Sequence, residues 1–177
     1  MVKCTGYKPG ALEGRYDSDG VFLYDRLNKS DMEMLELAIR CHNMYRIPQG
    51  LNSREQAFCN VLRDADKVDI FKVNIDTPLE EIYNTTTEEL MKSDITDEVL
   101  EAFDEEHCIL KAIRLTPADT VIGHVSLAYE LVYDESVRIT VEQGYLAKLM
   151  HFHSDNEENN RKNPMVREKM YSYLKNR

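Results

Sequence analysis

The chain has 177 residues, of which 42% are apolar and 31% charged, and its net charge is −10. That length allows one domain with a buried core. The negative field argues against a nucleic-acid polymer or an anionic membrane surface as partner, and no run of about 18 apolar residues exists to span a bilayer. Cys4, Cys41, Cys59 and Cys108 show no C-x-x-C spacing, and no apolar signal core follows Met1. They read as reduced thiols of a soluble cytoplasmic protein.

Residues 1–28 are rich in helix breakers, with Gly6, Pro9, Gly10, Gly14 and Gly20, and read as an irregular segment dotted with Asp17, Asp19 and Asp25. Val21–Tyr24 is the one short apolar run in it. Ser30-Asp31-Met32-Glu33 has the pattern of a capping box and predicts a helix start. Met32, Leu35, Ala38, Ile39 and His42 then share one helical face. Pro48 and Gly50 end this helix. Ser53-Arg54-Glu55-Gln56 predicts a second start, with a helix to about Val73. The short link between the two predicts nearly antiparallel packing.

Further on, short helices are expected near 78–83 and 87–92, and another from Thr96 to about His107. Thr116-Pro117-Ala118-Asp119 is a strong start, with a core stripe of Val121, Val125, Ala128, Leu131 and Val132. One helix is expected near 136–151, interrupted in quality by Gly144. His153–Lys162 reads as a solvated loop. Asn163-Pro164 opens a last helix, 163–176, with Met165, Met170, Tyr171 and Leu174 to bury. Helical periodicity dominates, so the fold class is all-α, a single domain over 29–177.

The second helix holds the stretch that bears on function: Arg63-Asp64-Ala65-Asp66-Lys67-Val68-Asp69. Phe58, Leu62 and Ala65 form an apolar stripe, and Asp66 and Asp69 fall on it. A carboxylate aimed at a core costs several kcal/mol unless a cation, a metal or hydrogen bonds meet it. This predicts a polar site on that face, with His42 and Asp66 as candidate catalytic and metal-ligating residues. An imidazole and carboxylates suit Mn, Mg, Fe, Ni or Zn. Plainer roles are also open: a core histidine, and helix-surface pairs Asp66–Arg63 and Asp69–Lys72. His151-Phe152-His153 with Asp155 and Glu157 reads as solvated surface, and His107 and His124 as ordinary helix residues.

Ala38-Ile39-Arg40-Cys41-His42-Asn43-Met44-Tyr45-Arg46-Ile47-Pro48 followed by Leu62-Arg63-Asp64-Ala65-Asp66-Lys67-Val68-Asp69-Ile70-Phe71 resembles the second half of the HD-domain metal-dependent phosphohydrolases. The resemblance covers these two stretches specifically and continues loosely to about Lys148. It implies a helical bundle of the HD type, roughly 29–150, acting on nucleotides or other phosphate esters with a divalent metal. It places the family's late metal Asp on Asp66 and puts His42 near a second metal or the substrate phosphate; Lys67 and Asp69 belong to the same motif, and Lys67 is the candidate substrate-binding residue. No His precedes His42, so the first metal His and the family's His-Asp pair have no counterpart. The resemblance therefore implies a domain truncated or diverged at its N-terminus and weak or inactive by itself. The alternative is a non-catalytic all-α binding or scaffold module. The stripe of Leu35, Ala38 and Ile39 would need cover from residues 1–28 or from another copy of the chain.

Overall fold

Residues 27–177 are described by the structure, a computed structural model. They form α1 (Lys29–Cys41), α2 (Ser53–Asp76), α3 (Leu79–Tyr83), α4 (Thr87–Lys92), α5 (Asp97–Asp104), α6 (Pro117–Val125), α7 (Asp134–Gln143), α8 (Tyr145–Met150) and α9 (Glu157–Asn176). Two 3-10 turns, Lys111–Ile113 and Ser126–Glu130, flank α6. No strand occurs among the described residues, and the class is all-α. None of the described helices is long and apolar enough to cross a membrane. The readings of Cys4, Asp17, Asp19, Asp25 and Val21–Tyr24 lie outside the described residues.

Local capping sets most boundaries. Asn28 caps α1 by accepting the Asp31 amide, two residues before the expected Ser30. Asn52, with Glu55 reaching back to its own amide, caps α2 just before Ser53. An Asn side chain serves these orphan amides as well as Ser does, so each start moves by a residue or two. Thr116 and Asp119 form the capping box that their spacing predicts.

Later elements depart further from expectation. The expected stripe is buried at Val121, Val125, Ala128 and Leu131, but α6 gives way to a 3-10 turn at Ser126, which changes the period and leaves Val132 exposed. The single helix expected near 136–151 is two, divided by Gly144 at φ 70. The last helix starts at Glu157, not Asn163, and Pro164 lies inside it. Polar anchoring explains the early start. Buried Asn159 accepts the Ile95 amide at 2.9 Å and donates to the Ser93 carbonyl at 2.7 Å and Ser154 Oγ at 3.0 Å. Met170 is fully buried, but Met165 and Tyr171 are exposed.

The main core joins α5, α6, α8 and α9 through Val99, Phe103, Val125, Leu146, Val166 and Met170. A smaller cluster of Ala38, Cys41 and Cys59, with Leu62 and Ile47, seals α1 to α2. Ala38 is thus covered within the described residues, and Leu35 and Ile39 are partly buried.

The expected antiparallel pairing of α1 and α2 is overturned. Asp31, at the start of α1, pairs with Arg54 at the start of α2 at 2.8 Å, while Cys41, at the end of α1, meets Cys59. The two helices therefore run in the same sense. Residues 42–52 make this possible: ten or so residues reach roughly 33 Å when extended, enough to run back along a helix of about 20 Å. Ile47 and Leu51 pack on the α1–α2 cluster along the way.

The buried face of α2 also differs from the expected one. Phe58, Ala65 and Asp69 are exposed, and Cys59, Arg63, Asp64, Lys67, Phe71 and Asn74 point inward. Asp64, 2% exposed, accepts the Val132 amide at 3.0 Å and the Tyr133 amide at 3.0 Å. Arg63 donates to the carbonyls of Met44, Cys41 (3.4 Å) and Tyr45 (3.4 Å) and to Glu130 (3.4 Å), not to Asp66. Removing the Asp64 carboxylate would strand two backbone donors. Asp64→Ala is expected to cost about 2–4 kcal/mol, against less than about 0.5 kcal/mol for exposed Asp69→Ala; urea unfolding of the two variants checks this contrast.

Candidate functional site

A cleft of about 360 Å³ opens beside the middle of α2. Its walls are residues 42–45 after α1, residues 108–114 around the first 3-10 turn, and α6 with the turn that follows. His42, Asp66 and Lys67 all line it. The parallel course of α1 and α2 is what brings His42, the C-cap of α1, level with Asp66, so no third element has to bridge the hairpin. Asp69 faces a different groove, between α2 and α7.

Each expected residue is constrained. His42 Nδ1 lies 2.6 Å from the Ile39 carbonyl and donates to it, since a carbonyl only accepts. Asp66 is half-buried; burial pushes its carboxyl above the usual range, and neighbouring His42 pulls it partly back. Lys67 is buried, with Nζ 3.4 Å from the Arg63 carbonyl. Burial and then the Arg63 charge hold its ammonium below the usual lysine range.

The remaining walls were not legible as a site. Arg63, Lys111 and Arg114 join Lys67, giving the cleft four Lys or Arg side chains against two acids, Asp66 and Glu130. Arg114 donates to the Ile109 carbonyl, while its Nε is buried without a hydrogen bond. Burial lowers its pKa. Its position depends on Gly123: a Cβ there would collide with the Arg114 side chain, guanidinium included. His124, next in the chain, is pushed down to about 4, first by burial and then by the Arg114 and Lys111 charges. The sequence hint was Gly123-His124 within an otherwise apolar helix turn, a polar break in a core stripe.

His107, His151 and His153 lie elsewhere. His107 pairs with Glu105 at 2.6 Å, His151 bonds the Ala147 carbonyl, and His153 meets Asp155 at 3.3 Å, all on exposed surface apart from the half-buried His107.

The metal that the family resemblance implies is not matched by these residues. His42 and Asp66 offer two donors, and among the described residues no group of three His, Cys, Asp or Glu gathers that could hold an ion. Zn takes three or four protein ligands, and Mg, which binds through one or two carboxylates and substrate phosphates, favours an acidic setting. This cleft has the opposite charge balance.

Two outcomes follow from the buried wall. The unfolded chain protonates His124 near pH 6.5, the folded one only near 4. Stability from this residue is therefore complete above 6.5 and is lost as pH falls through the window, on the order of 3 kcal/mol. Asp66, shifted upward, acts in the opposite sense. Comparing pH-dependent urea midpoints of His124→Gln with the parent isolates the histidine, and the variant should lose the slope between pH 6.5 and 4. Gly123→Ala should cost about 1–3 kcal/mol through overpacking against Arg114, read as a lowered melting temperature.

No family model matches the chain, and no curated protein or solved structure matches it either.

Proposed function

We propose that the cleft binds a phosphate-bearing small molecule, a nucleotide or other phosphate ester. In this reading the described residues form the binding part of a site related to the HD-type phosphohydrolases. The supporting observation is the concentration of Arg63, Lys67, Lys111 and Arg114 around one cleft on a chain of net charge −10. Two of these cations, Lys67 and Arg114, are held below their usual pKa because burial disfavours their charge. An anionic phosphate entering the cleft would offset that penalty, and guanidinium and ammonium groups are the side chains that recognise it. Lys67 thus keeps the substrate-binding role expected from the sequence. His42 and Asp66 sit within the same cleft and can accept from or donate to an ester's hydroxyl groups. Hydrolysis through a metal would need ligands beyond these two, so binding is the activity assigned to the described residues.

A second reading, a protein-binding scaffold, draws on the groove of about 600 Å³ between α2 and α7, where Val61, Val68, Tyr133 and Ile139 are lined up. Val61 is 58% exposed there. The groove carries few cations and no histidine, so the two readings concern separate surfaces.

Titration calorimetry with inorganic phosphate and a nucleoside monophosphate tests the first reading. Binding is expected to weaken about tenfold or more in Lys111→Glu, an exposed position where reversal leaves the core untouched. It should also weaken with added salt. Absence of heat and of any melting-temperature rise at millimolar ligand would remove the reading.

A further inference from the structure

A three-residue polar relay behind the cleft fixes the protonation of its buried histidine. Asn74 Nδ2 lies 2.8 Å from the Ile70 carbonyl, which only accepts, so that nitrogen is the amide donor and the side chain cannot be turned over. Asn74 Oδ1 is then the atom that faces Tyr83 Oη at 2.6 Å and His124 Nδ1 at 2.8 Å. An amide oxygen accepts both bonds. Tyr83 therefore donates its hydroxyl proton, and His124 carries its proton on Nδ1.

The other ring nitrogen follows by elimination. His124 is kept neutral at pH 7 by burial and by the Arg114 and Lys111 charges. One proton sits on Nδ1, so Nε2 presents a lone pair. Asn74 is not part of the cleft wall, whereas His124 is, so the ring edge away from Asn74 is the one that borders the cleft. Nε2 makes no hydrogen bond with the described residues, although His124 stands between two cations.

We propose that His124 Nε2 is a specificity-determining acceptor: the cleft selects an oxyanion that brings its own hydrogen-bond donor, hydrogen phosphate or a singly protonated phosphate monoester, over a fully ionised oxyanion such as sulfate. The inference rests on the anion-binding reading of the cleft and adds to it. The cations attract any oxyanion. The lone pair rewards one with a P–OH group and repels a sulfate oxygen, because two acceptors then face each other without a proton between them. Asn74 and Tyr83 are positioning residues, acting only through the imidazole.

The test is calorimetry of the full chain with sodium phosphate and sodium sulfate at pH 7 and fixed ionic strength, alongside nitrogen-15 NMR of its histidines. The parent should bind phosphate about tenfold or more tightly than sulfate, about the value of one hydrogen bond made or refused. His124→Phe should bring the two affinities within about threefold, mainly by weakening phosphate. The imidazole nitrogens of His124 in the parent should report a neutral ring protonated at Nδ1. Equal binding of the two anions by the parent, or a preference retained in His124→Phe, overturns the inference while leaving the cleft as an anion site. Absence of binding by either anion overturns both. Should His124→Phe fail to fold, the NMR measurement on the parent still decides: a ring protonated at Nε2, or a charged ring at pH 7, sinks the proposal.

Discussion

Two adjacent buried charges on α2, each matched by groups from distant segments, hold the rest of the structure in place. Asp64 reaches across to the amides of Val132 and Tyr133 and fixes the start of α7. Arg63 reaches to the carbonyls that follow α1 and to Glu130. Both side chains are nearly inaccessible to solvent, with exposures of 6% and 2%. Buried charge of this kind persists only when every lone pair and proton is matched, because an unmatched ion costs several kcal/mol. Here the matching groups are backbone amides and carbonyls at loop ends, which have no helical partner of their own. One rung of α2 thus meets the hydrogen-bond needs of two separate chain turns.

The cleft follows from that arrangement. Arg63 pulls residues 41–45 against the middle of α2, and this sets His42 beside Asp66. The same guanidinium contributes to the electropositive wall, with Lys67 one turn on. Gly123 lets Arg114 lie flat against α6, and Asn74 and Tyr83 hold His124 from behind. Two of the cleft's cations, Lys67 and Arg114, are held below their usual pKa by burial. In the proposed reading, an anionic phosphate would offset that desolvation cost. Two neutralising acids in the wall, Asp66 and Glu130, keep that cost bearable, and Glu130 is already engaged by Arg63.

That His42 and Asp66 line one cleft agrees with the expectation from spacing and family resemblance, but the expected buried face of α2 does not hold. Helical periodicity placed Phe58, Ala65, Asp66 and Asp69 together on an inward face. The structure buries nearly the opposite face, with Arg63, Asp64 and Lys67 inward and Phe58, Ala65 and Asp69 exposed. A pattern search assumes that apolar residues decide which side is buried. On α2 the deciding contacts are ionic and hydrogen-bonded, with partners nearly seventy positions away in Val132 and Tyr133. His124 was passed over for the same reason. Its neighbours in sequence are apolar, whereas its partners Asn74, Tyr83 and Arg114 come from three other segments.

The sequence alone was sufficient for the helical class, for the capping box at Thr116 and for most helix starts within a residue or two. These depend on side chains reaching their own backbone amides or on apolar spacing along a single turn, and both are local. The division at Gly144 is local, a left-handed cap, whereas tertiary structure decided the parallel course of α1 and α2, the buried face of α2 and the early start of α9. Each of those three turns on a contact between distant segments: an ion pair with apolar packing, a charge meeting backbone groups, or a buried asparagine bridging two loops. The free energy of such a bond depends on the partner's presence, and no local pattern encodes where in the chain that partner lies.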